Sequence, residues 1–348
     1  MKMQLREMSM QFLKGLAAAL LAVILAGSAH AQAPEKKDVK LGVGGANSLY
    51  YLPLALTEKL GHFKEQGLTV EINDFKGGSQ SLNALVSNSV DVVTGAYEHT
   101  LRMQVKGQAI VAAIELGRYP GITLAVKKDR MDKIKSIADL KGARIGVTAP
   151  GSSTNMIAQF LMVKAGLKPD DASFIGVGAG PGAVAAVRKG ELDAISNIDP
   201  IIAMLEASGD AVVMADTRTT EGATKVFGGT MSAAVLYFRK DFIDANPNTV
   251  QALVNAFYKT LRWIDKASPE QIADNVPPEY WLGDKPLYIA AAKANYEIYS
   301  RDGIVSEGSQ KRSIAFLQQF DKEMAAATFD PGKTFDDRFV KKAAAAIK

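Results

Sequence analysis

The chain has 348 residues, of which 47% are hydrophobic and 22% are charged, and it contains no cysteine. This length is sufficient for about two domains, each with its own core. The absence of cysteine excludes disulfides, thiolate metal sites and a cysteine nucleophile. The formal net charge of +4 is small for a chain of this length, whereas a nucleic-acid-binding protein would need a concentrated basic face.

The first 31 residues have the pattern of a signal peptide. Basic residues precede an apolar run of eleven residues, 16–26, and Ala29-His30-Ala31 supplies a cleavage pattern of small residues. A helix of this length is about 16 Å long, too short to cross a hydrocarbon core of about 30 Å. We therefore predict export with cleavage after Ala31, and not a membrane anchor. Residues 32–37 are polar and are predicted to be a flexible lead-in.

Short β-branched runs then alternate with helix-like segments, a rhythm typical of parallel sheets covered by helices on both faces. Glycines punctuate the ends of the predicted helices, where a left-handed residue is favoured. The predicted strands are 39–44, 68–73, 90–94, 109–115, 144–148, 173–177, 194–198 and 211–215. The predicted helices between them are 52–66, 79–87, 97–106, 153–164, 181–189 and 201–207.

Two runs break this rhythm and indicate how the chain is divided. Residues 122–126 follow a strand without an intervening helix, and residues 232–238 lead into a purely helical tail. We predict an α/β protein of two lobes joined by two hinge crossings, near Lys128 and Gly229, with the second lobe inserted into the first. Lobe I then comprises residues 38–128 and 230–348, and lobe II comprises residues 129–229. Two sequential domains with one linker are the alternative, but no Pro/Ser-rich linker is visible.

Ligands of parallel sheets bind beyond the carboxyl ends of the strands, often at helix N-termini. Gly151-Ser152-Ser153-Thr154 follows one such strand and combines close backbone approach, free N–H groups and hydroxyls, which suits an anion. Helix capping by Ser153 alone is the alternative. Gly77-Gly78-Ser79 repeats the arrangement in the other lobe, so the two helix starts are predicted to face each other across a cleft.

Further polar and aromatic residues are predicted at the same edge, a mixture that suits a small polar ligand with an apolar body. Arg118 would pair with an anionic group, whereas Glu98 would meet an amine or pair with Arg118. For His99, ligand contact and a satisfied structural role are equally compatible with the sequence. The candidate ligand-binding residues are Asn47, Tyr50, Gly78, Ser79, Tyr97, Glu98, His99, Arg118, Ser152, Ser153, Thr154 and Asp199.

Catalysis finds little support, because the sequence lacks the common hydrolase, metalloprotease and phosphate-loop motifs. After the signal peptide only His62, in a predicted surface segment, and His99 remain as histidines. Glu98 and His99 are thus the only plausible acid–base pair. We predict a binding protein with no catalytic residues, no metal site and no cofactor.

Several stretches resemble a known family. Residues 51–54, 58–68, 76–79, 136–147, 150–154 and 187–194 are similar to type II periplasmic solute-binding proteins of ABC importers. The similarity is strongest to the aliphatic sulfonate, nitrate and taurine binders, a group that also includes binders of thiamine pyrimidine precursors. The resemblance implies a hinged two-lobed fold with parallel-rich sheets. It also implies pocket residues from Gly77-Gly78-Ser79, Tyr97 and Ser152-Ser153-Thr154.

The resemblance further implies a periplasmic protein, expected to be a monomer, that delivers a small solute to a permease and its ATPase. We expect an anionic solute of the sulfonate or nitrate type. An amine or an aromatic heterocycle such as a pyrimidine stays open as an alternative, and so does a sensor domain that signals to a membrane receptor. Pyrimidine synthases of the same superfamily carry a cysteine-rich motif that this chain lacks, so their activity is not carried over.

Overall fold

In the computed structural model, which describes residues 33–347, ten strands form two five-stranded sheets. The strands are β1 Asp38–Val43, β2 Thr69–Asp74, β3 Val92–Ala96, β4 Ile110–Glu115, β5 Ile122–Lys127, β6 Arg144–Val147, β7 Ser173–Gly176, β8 Ala194–Ile198, β9 Ala211–Asp216 and β10 Ala234–Arg239. The predicted signal peptide, residues 1–31, lies outside the described residues.

The two sheets share one topology. The first has the order β2-β1-β3-β10-β4, and the second has the order β7-β6-β8-β5-β9. Three neighbouring strands of each sheet are parallel, and the fourth, β10 or β5, runs antiparallel to both of its neighbours. The central strands are buried along their whole length, as expected for sheets covered on both faces. The predicted α/β class with two helix-flanked sheets is confirmed.

Sheet membership corrects the boundary that we predicted near Lys128. Strand β5 pairs with β8 and β9, so it belongs to the second sheet, although its sequence follows β4 after only six residues. The chain therefore leaves the first sheet between Glu115 and Ile122. It returns to the first sheet between Asp216 and Ala234. The two runs that broke the predicted rhythm are the two antiparallel strands, and each follows a crossing.

Helices cover both sheets. The segment predicted as one helix over 52–66 is divided at Gly61, which adopts the left-handed conformation (φ 77°). The helices are α1 Leu52–Lys59, α2 His62–Glu65, α3 Gly78–Val86, α4 Tyr97–Val105, α5 Ser153–Lys164, α6 Pro181–Arg188, α7 Ile201–Ala207, α8 Thr220–Phe227, α9 Lys240–Ala245, α10 Pro247–Ile264, α11 Pro269–Asp274, α12 Lys285–Ala294, α13 Glu307–Gln318, α14 Lys322–Ala326 and α15 Arg338–Ala346. No helix of the described range is long and apolar enough to cross a membrane.

Part of the lead-in, residues 32–37, is bound to helix α10, which corrects our prediction that this segment is flexible. The Glu35 carboxylate accepts hydrogen bonds from the backbone N–H groups of Asn248 (3.1 Å) and Thr249 (2.8 Å), in the first turn of α10. The residue before α10, Asn246, provides no side-chain cap of its own. Glu35 therefore caps the longest of the described helices from outside, and its charge is favourable at a helix N-terminus.

We expect Glu35→Ala to destabilise the protein by about 1–2 kcal/mol, because α10 loses its N-terminal cap. Thermal or denaturant unfolding measures this change. Glu71→Ala is a suitable control, because Glu71 lies on the exposed edge strand β2. Equal stability of the Glu35 variant and the unsubstituted protein would contradict the capping role.

Candidate functional site

The carboxyl ends of strands from both sheets meet, and backbone and serine groups join them. The Ser79 N–H donates to the Ser152 hydroxyl (2.9 Å), and the Ser79 hydroxyl donates to the Pro150 carbonyl (2.9 Å). A Cβ on Gly77 would lie 2.7 Å from the Cβ of Ala149, so the two edges are in van der Waals contact. The predicted juxtaposition of the two glycine- and serine-containing helix starts is therefore present in the structure.

A small cavity lies behind this contact. The space that the centres of water molecules can occupy in it is about 20 Å³. This arrangement has room for one or two waters. A larger solute would therefore need the two edges to move apart. The lining residues are Gly44, Tyr50, Tyr51, Gly78, Ile122, Thr148, Ser152, Ser153, Thr154 and Ile198.

Two tyrosines form the wall contributed by the first sheet. Tyr50 and Tyr51 lie in a short 3₁₀ turn directly before α1, and their rings meet edge to face with centroids 4.7 Å apart. Burial raises the pKa of Tyr50 well above its usual value, so its hydroxyl keeps its proton. That hydroxyl forms no hydrogen bond of ordinary geometry among the described residues, although the Ser153 side chain is close enough to lower its pKa. A buried polar group in this state is an available contact for a ligand.

Glu98 and His99 lie directly behind this wall, in the first turn of α4, and both are buried. Burial raises the pKa of Glu98 to about 7, although the nearby Ser153 hydroxyl opposes the shift. Burial lowers the pKa of His99 to about 3, so the imidazole is neutral. Its Nδ1 hydrogen bonds with the Tyr237 hydroxyl (3.2 Å), and its Nε2 has no partner among the described residues.

The wall contributed by the second sheet is the start of α5. Ser152 holds the contact with Ser79, and Ser153 faces Glu98. The Thr154 hydroxyl hydrogen bonds with the N–H (3.0 Å) and the hydroxyl (2.9 Å) of Thr148. The structure therefore assigns the three predicted hydroxyls three different environments, and Ser153 is the one nearest to the buried carboxyl group.

Seven of the twelve predicted residues do not line the cavity: Ser79, Glu98, His99 and Asp199, which adjoin lining residues, and Tyr97, Arg118 and Asn47. The Tyr97 hydroxyl hydrogen bonds with Thr334 (2.7 Å), in the C-terminal region. The Arg118 guanidinium donates to the Glu297 carbonyl (3.0 Å) and lies over the Tyr119 ring. Asn47 is half-buried in the loop before Tyr50 and is not among the lining residues. Arg118 is therefore not placed to pair with an anion in this cavity.

Asp199 is buried beside the cavity, next to the lining residue Ile198. Its carboxylate accepts hydrogen bonds from Asn295, Arg218 and the Ala203 N–H, so its acceptor sites face protein groups. His62, predicted on the surface, is also buried, and its Nδ1 hydrogen bonds with the Thr260 hydroxyl (2.9 Å).

Five lining residues were missing from the predicted set. Gly44 and Tyr51 adjoin segments that the sequence did indicate, since they follow β1 and Tyr50. The other three were not predicted, for two reasons. Strand β5 was assigned to the wrong lobe, and a strand end does not by itself show which side chains face the cavity. These three are Ile122, Thr148 and Ile198.

A larger groove of about 500 Å³ lies between α5, β9 and α8. Leu161, Val213 and Val226 contribute to its largely apolar lining, and none of the buried polar atoms that lack partners belongs to it. The smaller cavity combines convergent polar groups with shifted pKa values, which is the more usual sign of a binding site.

Residues 48–272 match the family model described as NMT1/THI5 like. The match covers well over half of the chain and includes both cavity walls. The chain belongs to the NMT1/THI5-like family. A protein of Bordetella bronchiseptica RB50 is 48% identical, with a TM-score of 0.88 over 90% of this chain and 99% of that chain.

More distant structures show the same fold as this NMT1/THI5-like protein. The periplasmic nitrate-binding protein NrtA from Synechocystis PCC 6803 is 17% identical, with a TM-score of 0.70 over 91% of this chain and 90% of that chain. The zinc-bound ligand-binding component of an ABC-type import system from Staphylococcus aureus is 16% identical, with a TM-score of 0.68 over 88% of this chain and 99% of that chain.

The described part of this NMT1/THI5-like chain has no group of three or more His, Cys, Asp or Glu side chains that could hold a metal ion. Glu98 and His99 do not form an acid–base pair with each other, because the His99 Nδ1 contacts Tyr237 and the Glu98 carboxyl group faces Ser153.

Proposed function

We propose that this protein is the periplasmic solute-binding component of an ABC-type importer, and that it binds one small solute in the cavity between the two sheets. The cavity at the junction of the two sheet edges carries the proposal. Family membership and the importer and binding proteins among the similar structures support it. The predicted signal peptide fits export, and the permease with its ATPase is the proposed partner.

Solute capture would couple to a change in the distance between the sheets. The cavity is too small for more than one or two waters, so a solute enters when the contacts of Ser79 with Ser152 and Pro150 are broken. Closing over the solute adds solute contacts from both sides, while the two edges stay far enough apart to hold it. The solute thereby shifts the population toward the closed form, which is the form offered to the permease.

We propose that the solute donates hydrogen bonds through nitrogen and is neutral or positively charged. Among the described residues, no lysine or arginine lines the cavity. The acidic groups next to it are Glu98, which carries a negative charge above its pKa of about 7, and Asp199, whose carboxylate is already paired with Arg218; His99 is neutral. A fixed anion would therefore meet the Glu98 carboxylate without a cation to balance it.

A small anion, which the sequence favoured, is the second candidate. The first turns of α3 and α5 both border the cavity, at Gly78 and Ser153. Their N–H groups and helix dipoles favour negative charge. In this case the anion would bind together with a proton on Glu98.

The pH dependence of binding separates the two solute classes. We expect 4-aminopyrimidine or guanidinium to bind about tenfold more tightly at pH 8 than at pH 6, because the ionised fraction of Glu98 rises about tenfold across its pKa of about 7. Glu98→Gln should weaken this binding by at least tenfold and remove the pH dependence. Isothermal titration calorimetry measures both effects.

Nitrate and methanesulfonate are the comparison probes, and Glu58→Gln is the matched control. Burial also raises the pKa of Glu58, but that residue lies on α1 outside the cavity lining. Tighter binding of an anion at pH 6, with Glu98→Gln binding it equally well or better, would favour the second candidate. Failure of every probe to bind or to stabilise the protein would contradict a small-solute cavity.

A further inference from the structure

The second sheet is joined to elements of the first sheet at a place other than the Ser79 contact. Asp199 follows β8, and its carbonyl oxygen accepts the Leu49 N–H (2.9 Å). Its carboxylate accepts the Asn295 Nδ2 (2.5 Å), at the end of α12. Leu49 precedes Tyr50, and Asp199 follows Ile198, so both residues adjoin the lining of the cavity.

Leu49 and Asn295 belong to the layer that packs on the first sheet. The Tyr299 hydroxyl donates to the Leu49 carbonyl (2.9 Å), and Tyr299 itself pairs with Gly117 at the end of the first-sheet segment. One apolar cluster contains Leu49, Tyr299 and residues of α1, α11 and α12, together with Ala223 of α8 from the second sheet's layer. The two hydrogen bonds at Asp199 therefore cross from one sheet's layer to the other's.

The contact is buried and involves a charge, which makes it strong. Asp199 is 1% exposed and Asn295 is also 1% exposed. Within the second sheet's own layer, the Asp199 carboxylate is held by the Ala203 N–H (2.8 Å) and by Arg218 (3.3 Å). Hydrogen bonds from an amide to a buried carboxylate are stronger than those between neutral groups.

We infer that the hydrogen bonds of Asp199 with Asn295 and Leu49, here called the Asp199 latch, hold the two sheets in the closed arrangement and so set solute affinity without touching the solute. Asp199 and Asn295 are then positioning residues. The inference rests on the proposed capture of a solute between the sheets. It reassigns Asp199, predicted as a ligand contact, to closure.

The position of the latch relative to the crossings explains why it would control closure. Both crossings connect the sides of the sheets formed by β4, β10, β5 and β9, whereas β2 and β7 are the opposite edges. The latch attaches the end of β8, the middle strand of the second sheet. Asn295 also adjoins the first crossing, where a Cβ on Gly121 would lie 3.3 Å from its Oδ1, so the latch responds to any movement that carries the end of β8 away from α12.

Single-molecule FRET without solute tests the latch. The sequence has no cysteine, so Glu71→Cys on β2 and Ser173→Cys on β7 accept one dye each at exposed positions on the two opposite edges. We expect Asn295→Ala to raise the ratio of open to closed molecules roughly tenfold, because one hydrogen bond to a buried charge is lost. Asn295→Leu should give the same result while retaining the volume of the side chain.

Asp216→Asn is the matched control, because Asp216 also binds Arg218 (2.7 Å) but lies within the second sheet. We expect this variant to leave the ratio within about twofold of the unsubstituted protein. An unchanged ratio in both Asn295 variants would overturn the latch, even if their melting temperatures fall. The measurement contains no solute, so a failure to find any bound solute would contradict the proposed function without altering this result.

Discussion

Gly44→Ala should weaken solute binding roughly ten- to hundredfold and destabilise the protein by about 1–3 kcal/mol. A Cβ at this position would lie 2.4 Å from the backbone carbon of Gly77 and 2.4 Å from the backbone nitrogen of Gly78. These are backbone atoms, which cannot move away by side-chain rotation. The loop after β1 and the start of α3 must therefore separate by about 1 Å to reach ordinary van der Waals contact. Gly44 and Gly78 both line the cavity.

The control for this prediction is Gly182→Ala. Gly182 lies in α6, and a Cβ there would have no neighbour within 4 Å. The substitution should leave binding unchanged and stabilise the helix by up to about 1 kcal/mol. Calorimetric titration with the best probe and thermal unfolding of both variants measure the contrast. If Gly44→Ala bound the probe as tightly as the unsubstituted protein, the cavity would not be the solute site.

The residues that lie at the carboxyl ends of the strands could be predicted from the sequence by a simple rule. Strand–helix alternation indicates parallel strands, and the carboxyl ends of parallel strands lie at one edge. This rule brought Gly78, Ser79 and Ser152 together, and the structure places them in contact across the two sheets or at the cavity. Glycine and serine at a strand end are local signals, so no knowledge of the tertiary fold was needed.

The direction of individual side chains could not be predicted in the same way. Tyr97 and Glu98 are consecutive, yet one contacts Thr334 and the other approaches Ser153 on the cavity wall, since neighbours on a helix point about 100° apart. Arg118 contacts Glu297, 179 positions later in the chain. Such contacts depend on which distant segment covers the strand end. That segment cannot be inferred from a single sequence.

The sheet to which strand β5 belongs could not be predicted from the sequence either. The sequence correctly marked residues 122–126 as a strand without a preceding helix. Whether this strand joins the sheet it leaves or the sheet it enters depends on pairing with β8 and β9, which are 67 or more residues further along. Pairing partners at that distance leave no periodic pattern in the strand itself.

The largest pH effect on stability is expected from Glu115, at the end of β4. This carboxyl group is buried and accepts hydrogen bonds from Ser232 (2.5 Å) and Ser300 (2.8 Å), so it joins the two crossings and the C-terminal region. Burial raises its pKa to about 8, with Asp302 adding to the shift and Arg118 opposing it. Below pH 8 the Glu115 carboxyl group of the folded protein is therefore protonated, and above pH 8 it carries a buried negative charge.

The sign of the effect follows from proton linkage. Between the ordinary carboxyl pKa of about 4.5 and the folded value of about 8, the folded state binds a proton that the unfolded state has lost. The contribution of Glu115 to stability is therefore fully present below pH 4.5, falls as the pH rises toward 8 and is constant above that. We expect a loss of about 5 kcal/mol across this range.

Glu115→Gln should remove this loss, because the amide keeps the size of the side chain and carries no charge at any pH. Relative to the unsubstituted protein, the variant should gain stability as the pH rises from 5 to 9, as measured by urea unfolding at each pH.

Glu98→Gln should gain stability over a narrower pH range that ends near pH 7, since that is the pKa of Glu98. Glu307→Gln is the control with the opposite sign, because Lys311 lowers the pKa of the exposed Glu307. A Glu115 variant whose stability parallels that of the unsubstituted protein at every pH would show that Glu115 ionises normally, and that the crossings do not enclose a protonated carboxyl group.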